Sequence, residues 1–384
     1  MKVLVTGGSG FLGAEICRRL TARGHEVRAL QRGRRALPPN GAETVLGDIR
    51  DTAAVANAVR GCDAVVHTAA LADVWGPRRD FASVNIAGTA AVLDACRRHG
   101  VTRLVHCSSA SVVFAGRDLE GADESTPYPR RFLAPYPWSK SRAEQLVLAA
   151  NSAPLATVSL RPHLIWGEGD PYLLPGLRAA IRRGRLLLPG TGANHVDTVH
   201  VTDAADAHVL AVEKLTGNSP LAGSSYFITQ GLPCTLAATV RGLLAHHGIT
   251  AEIRSVPATA ARAAAALLEL TARATRSRHR PLLTRFLAAE LTRAHWFDIS
   301  AARRDLDYTP TAHSWQTQET STHATGSPSP PERTVPPRRD GIENGRDADR
   351  ERTPRTGHTR TRSGTPRPAE EDSAVLDQSR EGTV

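Results

Sequence analysis

The sequence contains little lysine, few aromatic residues and no long apolar run. Only three of the 48 basic residues are lysines, and Phe, Trp and Tyr together make up 4% of the 384 residues. No stretch approaches the roughly 18 consecutive apolar residues that a membrane-spanning helix needs. The opening KVLVTGG breaks into glycines and lacks the apolar segment and cleavage site of a signal peptide. These absences exclude an integral membrane span and predict a soluble, cytoplasmic protein.

Cysteine is also sparse, and its distribution argues against two kinds of site. The five cysteines are scattered, without a CxxC pair or a spacing typical of metal ligands. We therefore expect no metal site, only reduced thiols packed as small apolar side chains. The residues concerned are Cys17, Cys62, Cys96, Cys107 and Cys234.

The formal net charge of +10 raises the question of a nucleic-acid partner. The arginines are spread along the whole chain, without a dense basic run or an RNA-binding motif. An excess of arginine over lysine, together with abundant alanine, is typical of a GC-rich coding sequence. We predict no nucleic-acid partner.

Three regions differ in their sequence patterns. Residues 1–160 alternate short β-branched runs with helical patterns, which predicts an α/β fold with a doubly wound parallel sheet covered by helices on both faces. Residues 161–315 are less regular and predict a smaller, mostly helical substrate-binding region, with some elements returning to the first domain. Residues 316–384 lack aromatic residues and are rich in Pro, Thr, Ser, Arg and acids, so we predict a disordered tail.

Residues 259–297 carry apolar residues at three-to-four spacing and predict a helical segment. One face of it bears Leu283, Phe286, Leu287 and Leu291, flanked by arginines. Core packing with a solvated arginine face is the first interpretation. The alternatives are a lid over an apolar substrate and a surface in peripheral contact with a membrane.

The first predicted strand runs through VTGGSGFLG into the first predicted helix. Gly7 suits the tight turn, Gly10 lets the backbone approach a pyrophosphate, and Gly13 lets the helix pack close to the sheet. The helix amides and the positive end of the helix would then face the phosphates. This context predicts a Rossmann dinucleotide-binding domain, with Phe11 and Leu12 among the residues at the cofactor.

The end of the second predicted strand bears on the choice of dinucleotide. NAD-binding proteins usually place an acid there for the ribose 2′-hydroxyl. This chain has Gln31 at that position, followed by Arg32, Arg34 and Arg35. An arginine fork can hold a 2′-phosphate, which an acid would repel. NADP(H) is therefore favoured, with NAD(H) as the alternative.

A tyrosine and a lysine four residues apart suggest an acid–base pair. Tyr136 and Lys140 would lie one turn apart on the same face of a helix. A nearby ammonium favours the phenolate and would lower the tyrosine pKa, so that the phenol can act as general acid or base. The strand end HCSSAS offers Ser108, Ser109 and Ser111 as hydroxyls for the substrate oxygen.

Together, these pieces resemble an extended short-chain dehydrogenase/reductase of the NAD-dependent epimerase/dehydratase superfamily, over roughly residues 1–310. The resemblance implies that Ser109, with Ser108 as the alternative, acts with Tyr136 and Lys140 in catalysis. It further implies that Asp48 and Ile49 flank the adenine, Ala69 lies along the cofactor, and Asn85 supports the fold near the site. The matching motifs are TGGSGFLG, GDI at 47–49, HTAA at 67–70, VNIAGT at 84–89, SSAS, YPWSK and RPHLIWGEGD at 161–170.

The segment RPHLIWGEGD resembles the 3β-hydroxysteroid dehydrogenase branch, which includes bacterial reductases of long-chain 2-alkyl-3-keto acids. Sugar-nucleotide epimerases and dehydratases usually have an Asn soon after this Arg. Asp203 departs from the branch, which commonly has Asn there. Homodimerisation through two helices is common in the family and is implied only by this resemblance.

The expected function is NAD(P)(H)-dependent interconversion of a ketone and a secondary alcohol on an apolar substrate, a sterol or a long-chain 3-keto acid. The alternatives are a nucleotide-sugar epimerase or dehydratase with tightly held NAD, and a non-catalytic NADP-sensing protein. Four aromatic residues are candidates for an apolar pocket, although each is more typical of a core. These are Trp75, Phe81, Trp138 and Trp166.

Overall fold

The computed structural model describes residues 1–33, 41–275, 277 and 279–311. Arg34, Arg35 and the predicted tail at 316–384 lie outside the described residues. The strands are β1 (Lys2–Thr6), β2 (Glu26–Gln31), β3 (Glu43–Leu46), β4 (Ala64–His67), β5 (Arg103–Cys107), β6 (Leu119–Ala122), β7 (Ala156–Pro162), β8 (Ile165–Trp166), β9 (Arg185–Pro189), β10 (His195–Val196), β11 (Val199–His200), β12 (Ser224–Ile228), β13 (Cys234–Thr235), β14 (Glu252–Val256) and β15 (His295–Phe297).

Helices follow most of the strands. They are α1 (Phe11–Ala22), α2 (Thr52–Val59), α3 (Arg78–Phe81), α4 (Gly88–Arg98), α5 (Pro135–Ala149), α6 (Leu173–Ala180), α7 (Val201–Lys214), α8 (Leu236–His246), α9 (Ala258–Ala274), α10 (Arg285–Thr292) and α11 (Ser300–Leu306). A π-helical segment, Ala82–Ala87, leads into α4. Within the described ranges, we find no helix long and apolar enough to cross a membrane.

Seven strands form a parallel sheet in the order β12-β7-β5-β4-β1-β2-β3. Alternate residues of each strand face opposite sides of a sheet, and β1 shows this clearly. Val3 and Val5 pack with α1 and α7 on one side, whereas Leu4 packs with α2 and α4 on the other. Two apolar layers therefore cover the sheet, and the predicted doubly wound α/β architecture is confirmed.

The first half and the second half of the chain exchange strands. Edge strand β12 comes from the second half and pairs with β7 of the first. In return, β6 joins a four-stranded sheet in the order β13-β10-β15-β6. This exchange brings the second-half elements over the carboxyl ends of the parallel strands, where open α/β sheets bind their ligands.

The segment predicted to be helical at 259–297 differs from the expectation. It consists of two helices, α9 and α10, with non-helical residues between them, and ends in strand β15. Pro281 lies in the gap, and Thr284 caps α10 by accepting a hydrogen bond from the amide of Leu287 at 3.1 Å. The apolar residues do recur at helical spacing, but this spacing continues across the end of one helix and the start of the next, which the proline and the cap separate.

Candidate active site

The glycine loop fits a dinucleotide because its backbone is packed too closely for side chains. Gly7 has φ +75°, and a Cβ there would lie 2.9 Å from the Cα of Ala69. A Cβ on Gly13 would lie 2.2 Å from the carbonyl oxygen of Gly7, so α1 could not approach the turn as it does. At Gly10, the same atom would meet only the Gly7 oxygen, at 3.1 Å. The loop thus forms a bare backbone cradle at the amino end of α1, suited to a pyrophosphate.

At the end of the cofactor groove away from the glycine loop, side chains of opposite charge lie close to the neutral side-chain amide of Gln31. Gln31 is buried at the end of β2 and donates a hydrogen bond to the Gly33 carbonyl oxygen at 2.9 Å. Asp48 accepts two hydrogen bonds from the Arg50 guanidinium, at 2.8 and 2.9 Å. These bonds, helped by the more distant charge of Arg32, lower the pKa of Asp48 to about 2. Asp48 is therefore a fixed anion with a partner, and Arg32 is exposed beside it.

A polar ladder beneath the groove was not foreseen from the sequence. Thr89 donates its hydroxyl proton to the carbonyl oxygen of Asn85 at 2.6 Å, so its oxygen accepts from His67 Nε2 at 2.9 Å. His67 Nδ1 must then accept from the hydroxyl of Thr6, at 2.7 Å. The Thr6 oxygen also accepts from the Ala69 amide at 3.2 Å. The HTAA motif is thus held against β1 by side chains as well as by the sheet.

The candidate catalytic pair lies at the start of α5. The helix begins at Pro135, with Pro137 in its first turn, and Lys140 lies one turn beyond Tyr136. Lys140 is buried, and its Nζ donates to the carbonyl oxygen of Cys107 at the end of β5, at 2.6 Å. This bond fixes the ammonium between the helix and the sheet.

Asn85 holds the same corner from the other side. Its Oδ1 accepts from the Leu71 amide at 2.7 Å, and its Nδ2 donates to Ser139 Oγ at 2.8 Å. Ser139 in turn donates to the carbonyl oxygen of Tyr136 at 2.8 Å. One buried amide therefore links the loop after β4 to the first turn of the catalytic helix.

The serines after β5 have different surroundings. Ser109 shares a hydrogen bond with Ser111, Oγ to Oγ at 2.9 Å, and a bond from the Ser109 side chain lowers the pKa of Tyr136. The Ser108 hydroxyl is buried without a hydrogen-bond partner among the described residues. Of these two serines, Ser109 is thus the one with a hydrogen bond to the tyrosine.

The electrostatics of the tyrosine differ from the expectation. Burial is the largest influence and raises the pKa of Tyr136 above its ordinary value of 10.0. Burial also lowers the pKa of Lys140. The charge of Lys140 is not among the leading influences on the pKa of the phenol, and its ammonium donates to the Cys107 carbonyl oxygen. In the protein alone, Tyr136 is therefore a protonated phenol, opposite to the predicted lowering.

The predicted catalytic residues and the described residues predicted to bind the cofactor line one continuous cavity of about 2230 Å³. It runs from the glycine loop past Tyr136 into the second half of the chain. The residues are Gly7, Gly10, Phe11, Leu12, Gly13, Gln31, Arg32, Asp48, Ile49, Ala69, Ser108, Ser109, Tyr136 and Lys140.

Beyond Tyr136, the cavity walls are mostly leucine and alanine. They come from α6, β9, α9 and α10, and the rim is exposed. Buried wall residues include Leu186, Leu188, Ala261 and Phe286, and exposed rim residues include Tyr172, Leu187, Leu268 and Leu282.

The four aromatic candidates for this wall lie elsewhere. Phe81 and Trp166 are fully buried in the core, and none of the four borders the cavity in the part of the chain that the structure describes. Trp138 stacks under the guanidinium of Arg78, at 3.9 Å from the ring centroid. Phe81 and Trp166 thus have the core positions that are more typical of such residues, and the wall is built mainly from leucines and alanines of α6, β9, α9 and α10.

Glu290 and His163 are among the polar residues of the cavity that were not assigned a role from the sequence. The signal for Glu290 was present: it follows Phe286 by four residues and so lies on the apolar face of α10, among Leu287 and Leu291. A carboxyl group within an apolar face is unusual in a helix that only packs against a core.

The fold and the site define a class. A parallel sheet with a glycine cradle, and a buried lysine one turn from a tyrosine that touches a serine, are the parts of an extended short-chain dehydrogenase/reductase. The sequence profile described as the 3-beta hydroxysteroid dehydrogenase/isomerase family matches residues 4–257. The chain belongs to this family, as its motifs predicted.

The chain is similar to several proteins of known activity. It is 46% identical to a 2-alkyl-3-oxoalkanoate reductase of Stenotrophomonas maltophilia, covering 81% of this chain and 95% of that protein. It is 42% identical to the protein of that name from Shewanella oneidensis, over 79% and 81% of the two chains. A UDP-glucose 4-epimerase of Thermus thermophilus, solved with NAD, shares the fold with a TM-score of 0.62 and 26% identity, over 85% of this chain and all of that one (100%).

The chain is accordingly an oxidoreductase that uses a nicotinamide cofactor, NAD(P), to interconvert a ketone and an alcohol. The predicted oxidoreductase class is confirmed by the family and by the relatives.

Proposed function

We propose that the protein reduces the ketone of a long-chain 3-keto acid to a secondary alcohol, with NADPH as cofactor. The observation that carries this proposal is the single cavity, which joins the glycine cradle and Tyr136 to a wall of leucine and alanine. The cofactor, when bound, supplies the hydride for the carbonyl carbon. The protein supplies the proton, the orientation and the apolar surroundings.

In this mechanism, Tyr136 donates its phenolic proton to the carbonyl oxygen as that oxygen gains negative charge. Ser109 holds the same oxygen through its hydroxyl, since its side chain hydrogen-bonds Tyr136, whereas the Ser108 hydroxyl has no hydrogen-bond partner among the described residues. Lys140, buried one turn beyond Tyr136, is placed to bind the nicotinamide ribose hydroxyls. Proton and hydride together convert the ketone to the alcohol, and oxidation uses the same groups in reverse.

The raised pKa of Tyr136 supports reduction as the working direction at neutral pH. A buried phenol that stays protonated is ready to donate. Oxidation needs the phenolate at the start, so it is expected to become faster as the pH rises.

The charges at the ribose end support NADP(H) over NAD(H). Gln31 replaces the acid that would repel a 2′-phosphate, and Arg32 is exposed beside it on the same wall. Asp48 is already bound to Arg50, which weakens its repulsion of a phosphate. The glycine cradle would hold the pyrophosphate, with Ile49 and Ala69 along the adenosine and nicotinamide halves.

A long apolar chain fits the second half of the cavity better than a nucleotide sugar. Sugar hydroxyls and a diphosphate need many polar partners, whereas the buried wall beyond Tyr136 is chiefly leucine and alanine. The relatives named 2-alkyl-3-oxoalkanoate reductases support an acyl chain, and the family description supports a sterol as the second candidate.

The exposed leucines of the rim also favour peripheral contact with an anionic lipid surface. Leu187, Leu268 and Leu282 are 60%, 38% and 68% exposed at the cavity mouth, and Arg182 and Arg280 line the same mouth. A leucine rim with arginines is suited to the boundary of acyl chains and anionic headgroups. Sedimentation with vesicles containing phosphatidylglycerol tests this: binding to these but not to neutral vesicles is expected, and no binding to either contradicts it.

The test of function is NADPH consumption with a panel of ketones. We expect turnover of long-chain 2-alkyl-3-keto acids, weaker turnover of 3-ketosteroids and none of nucleotide sugars, with NADH a poorer cofactor. Epimerisation of a nucleotide sugar with copurified NAD would replace this proposal with the epimerase alternative. Binding of NADPH without any turnover would indicate the sensing alternative.

A further inference from the structure

One half-buried carboxyl group lines the apolar half of the cavity without a partner for its charge among the described residues. Glu290 lies in the last turns of α10, on the face that carries Phe286, Leu287 and Leu291. Its carboxyl oxygens accept no hydrogen bond and form no ion pair with any described residue. Both Glu290 and Tyr136 line the cavity, and an ionised Glu290 would raise the pKa of Tyr136, so the two groups lie at the same end of the cavity.

The charged and titratable groups around Glu290 are neutral or are engaged with other groups. On α9, Glu269 binds Arg285 and Arg273. On β9, Arg185 pairs with Glu252. Others near this end of the cavity are His163, His295, Tyr136, Tyr172, Lys140 on the Cys107 carbonyl, Arg280 beside Asp73, and Arg293 on Asp118.

The two histidines form a chain whose protons can be assigned. The Glu290 carbonyl oxygen can only accept, so His295 Nε2 donates to it, at 2.8 Å. His295 Nδ1 then accepts from His163 Nε2, at 2.7 Å. Because burial lowers the pKa of both rings, they are neutral, and His163 Nδ1 carries no proton. His163 therefore cannot donate to an anionic ligand in the cavity.

Burial without a counter-charge raises the pKa of Glu290 to about 8. At neutral pH it is therefore mostly a carboxylic acid, with one O–H to donate. A neutral acid is compatible with the apolar wall, whereas a half-buried carboxylate there would lose part of its solvation.

We propose that Glu290 is a specificity-determining residue that, as a neutral acid, donates a hydrogen bond to the carboxylate of a 3-keto acid whose ketone lies at Tyr136. In such a substrate, one carbon atom separates the carboxylate from the ketone carbon, so both oxygen groups fit the same end of the cavity. The approach of a substrate carboxylate would further favour the protonated form of Glu290, since two carboxylates share one proton readily. This inference rests on the proposed reduction of 3-keto acids.

The test uses the alcohol direction, because 3-keto acids lose CO₂ in solution. KM and kcat are measured from pH 6 to pH 9 with a 2-alkyl-3-hydroxyalkanoic acid and with the secondary alcohol that lacks only its carboxyl group. The enzymes are the wild type, Glu290→Gln, Glu290→Leu and the control Glu168→Gln. Glu168 also borders the cavity but is exposed to solvent.

For the wild type and Glu168→Gln, we expect KM for the acid to rise about tenfold between pH 7 and pH 9, as Glu290 ionises. Glu290→Gln keeps a donor that does not titrate, so its KM should stay flat over this range. Glu290→Leu should raise KM for the acid about tenfold at pH 7 and leave KM for the alcohol unchanged.

Two results would overturn the inference while leaving the proposed function intact. One is a Glu290→Leu variant that changes KM for acid and alcohol equally. The other is an identical pH profile for the wild type and Glu290→Gln. If the wild type oxidises neither compound, the proposed function fails, and the role of Glu290 fails with it.

Discussion

The cavity has a cofactor half, around the glycine loop, and a substrate half, beyond Tyr136. The two halves are formed by different kinds of contacts. The cofactor half is formed by backbone approaches too tight for a Cβ and by buried side chains with fixed hydrogen bonds, such as His67 and Asn85. The substrate half is formed by leucine and alanine, and several of its leucines are exposed. Hydride and proton transfer need fixed distances, whereas an acyl chain needs only apolar area. Substitutions should therefore have sharp effects on one side and graded effects on the other.

The largest effect is expected at the junction of the halves. Tyr136→Phe removes the proton donor and should lower kcat by about 10²–10⁴-fold, with NADPH binding retained. Stopped-flow or steady-state NADPH oxidation measures it. Tyr172→Phe is the matched control, since Tyr172 borders the same cavity but is exposed. Turnover of Tyr136→Phe within threefold of the wild type would contradict the assigned mechanism.

The cofactor half should not tolerate a single added methyl group at Gly13. A Cβ there would overlap the Gly7 carbonyl oxygen at 2.2 Å, so Gly13→Ala must push α1 from the cradle. We expect the NADPH Kd, measured by fluorescence titration, to rise about 100-fold. Gly176→Ala is the control: it borders the substrate half, and a Cβ there meets nothing within 4 Å. If the two substitutions raised the NADPH Kd equally, the cofactor half would be no more sensitive to an added methyl group than the substrate half.

In the substrate half, a larger side chain should shift selectivity without abolishing activity. Ala264→Phe on α9 narrows the cavity, so kcat/KM should fall about tenfold for the longest acyl chains and little for short ones. Ala263→Phe, exposed on the same helix outside the cavity, controls for effects on the helix. A loss that is independent of chain length would place the acyl chain elsewhere.

At the ribose end, Arg32→Ala should remove a charge-assisted bond to the 2′-phosphate. We expect the KM for NADPH to rise about tenfold and that for NADH to stay the same. Arg97→Ala, exposed on α4, is the matched loss of charge. If the KM values for NADPH and NADH rise equally, Arg32 only supports the groove. The preference for NADPH then has another source.

The smallest effect concerns stability. The pKa of Glu290 is raised on folding from 4.5 to about 8, so folding takes up a proton between these values. The contribution of the neutral acid to the free energy of unfolding is complete below pH 4.5, the pKa in the unfolded state. This contribution is lost as the pH rises through about 8, the pKa in the folded state. Glu290→Gln should therefore melt about 3 °C higher than the wild type at pH 9 and equally at pH 4.5, by calorimetry. An equal shift at both pH values would contradict burial of this group.

Much of the cofactor half was predictable because its constraints are local in sequence. A glycine at each third position, a strand before it and a helix after it leave few arrangements for Gly7, Gly10 and Gly13. The tyrosine and lysine were placed by helical spacing alone. The direction of the Lys140 ammonium was not, because the Cys107 carbonyl that receives it comes from a strand 33 residues away.

The substrate half resisted prediction because distant segments build it. Trp75 and Trp166 were chosen for their size, yet strand and helix packing put alanines of α9 at the wall instead. The apolar residues continue at helical spacing through Thr284, although the Thr284 side chain caps the start of a new helix, α10. The homodimer and the domain boundary at 160 stay predictions.

Because β12 belongs to the second half of the chain, the parallel sheet stays incomplete while the protein is being synthesised. Strand β7 ends at Pro162, but its partner β12 is complete only at Ile228. A nascent chain therefore carries an unpaired apolar sheet edge while the ribosome adds the residues between them. Open edges of this kind recruit other strands and aggregate. Slow translation of this interval would expose the edge for longer, so the yield of folded protein depends on how quickly the second half follows the first.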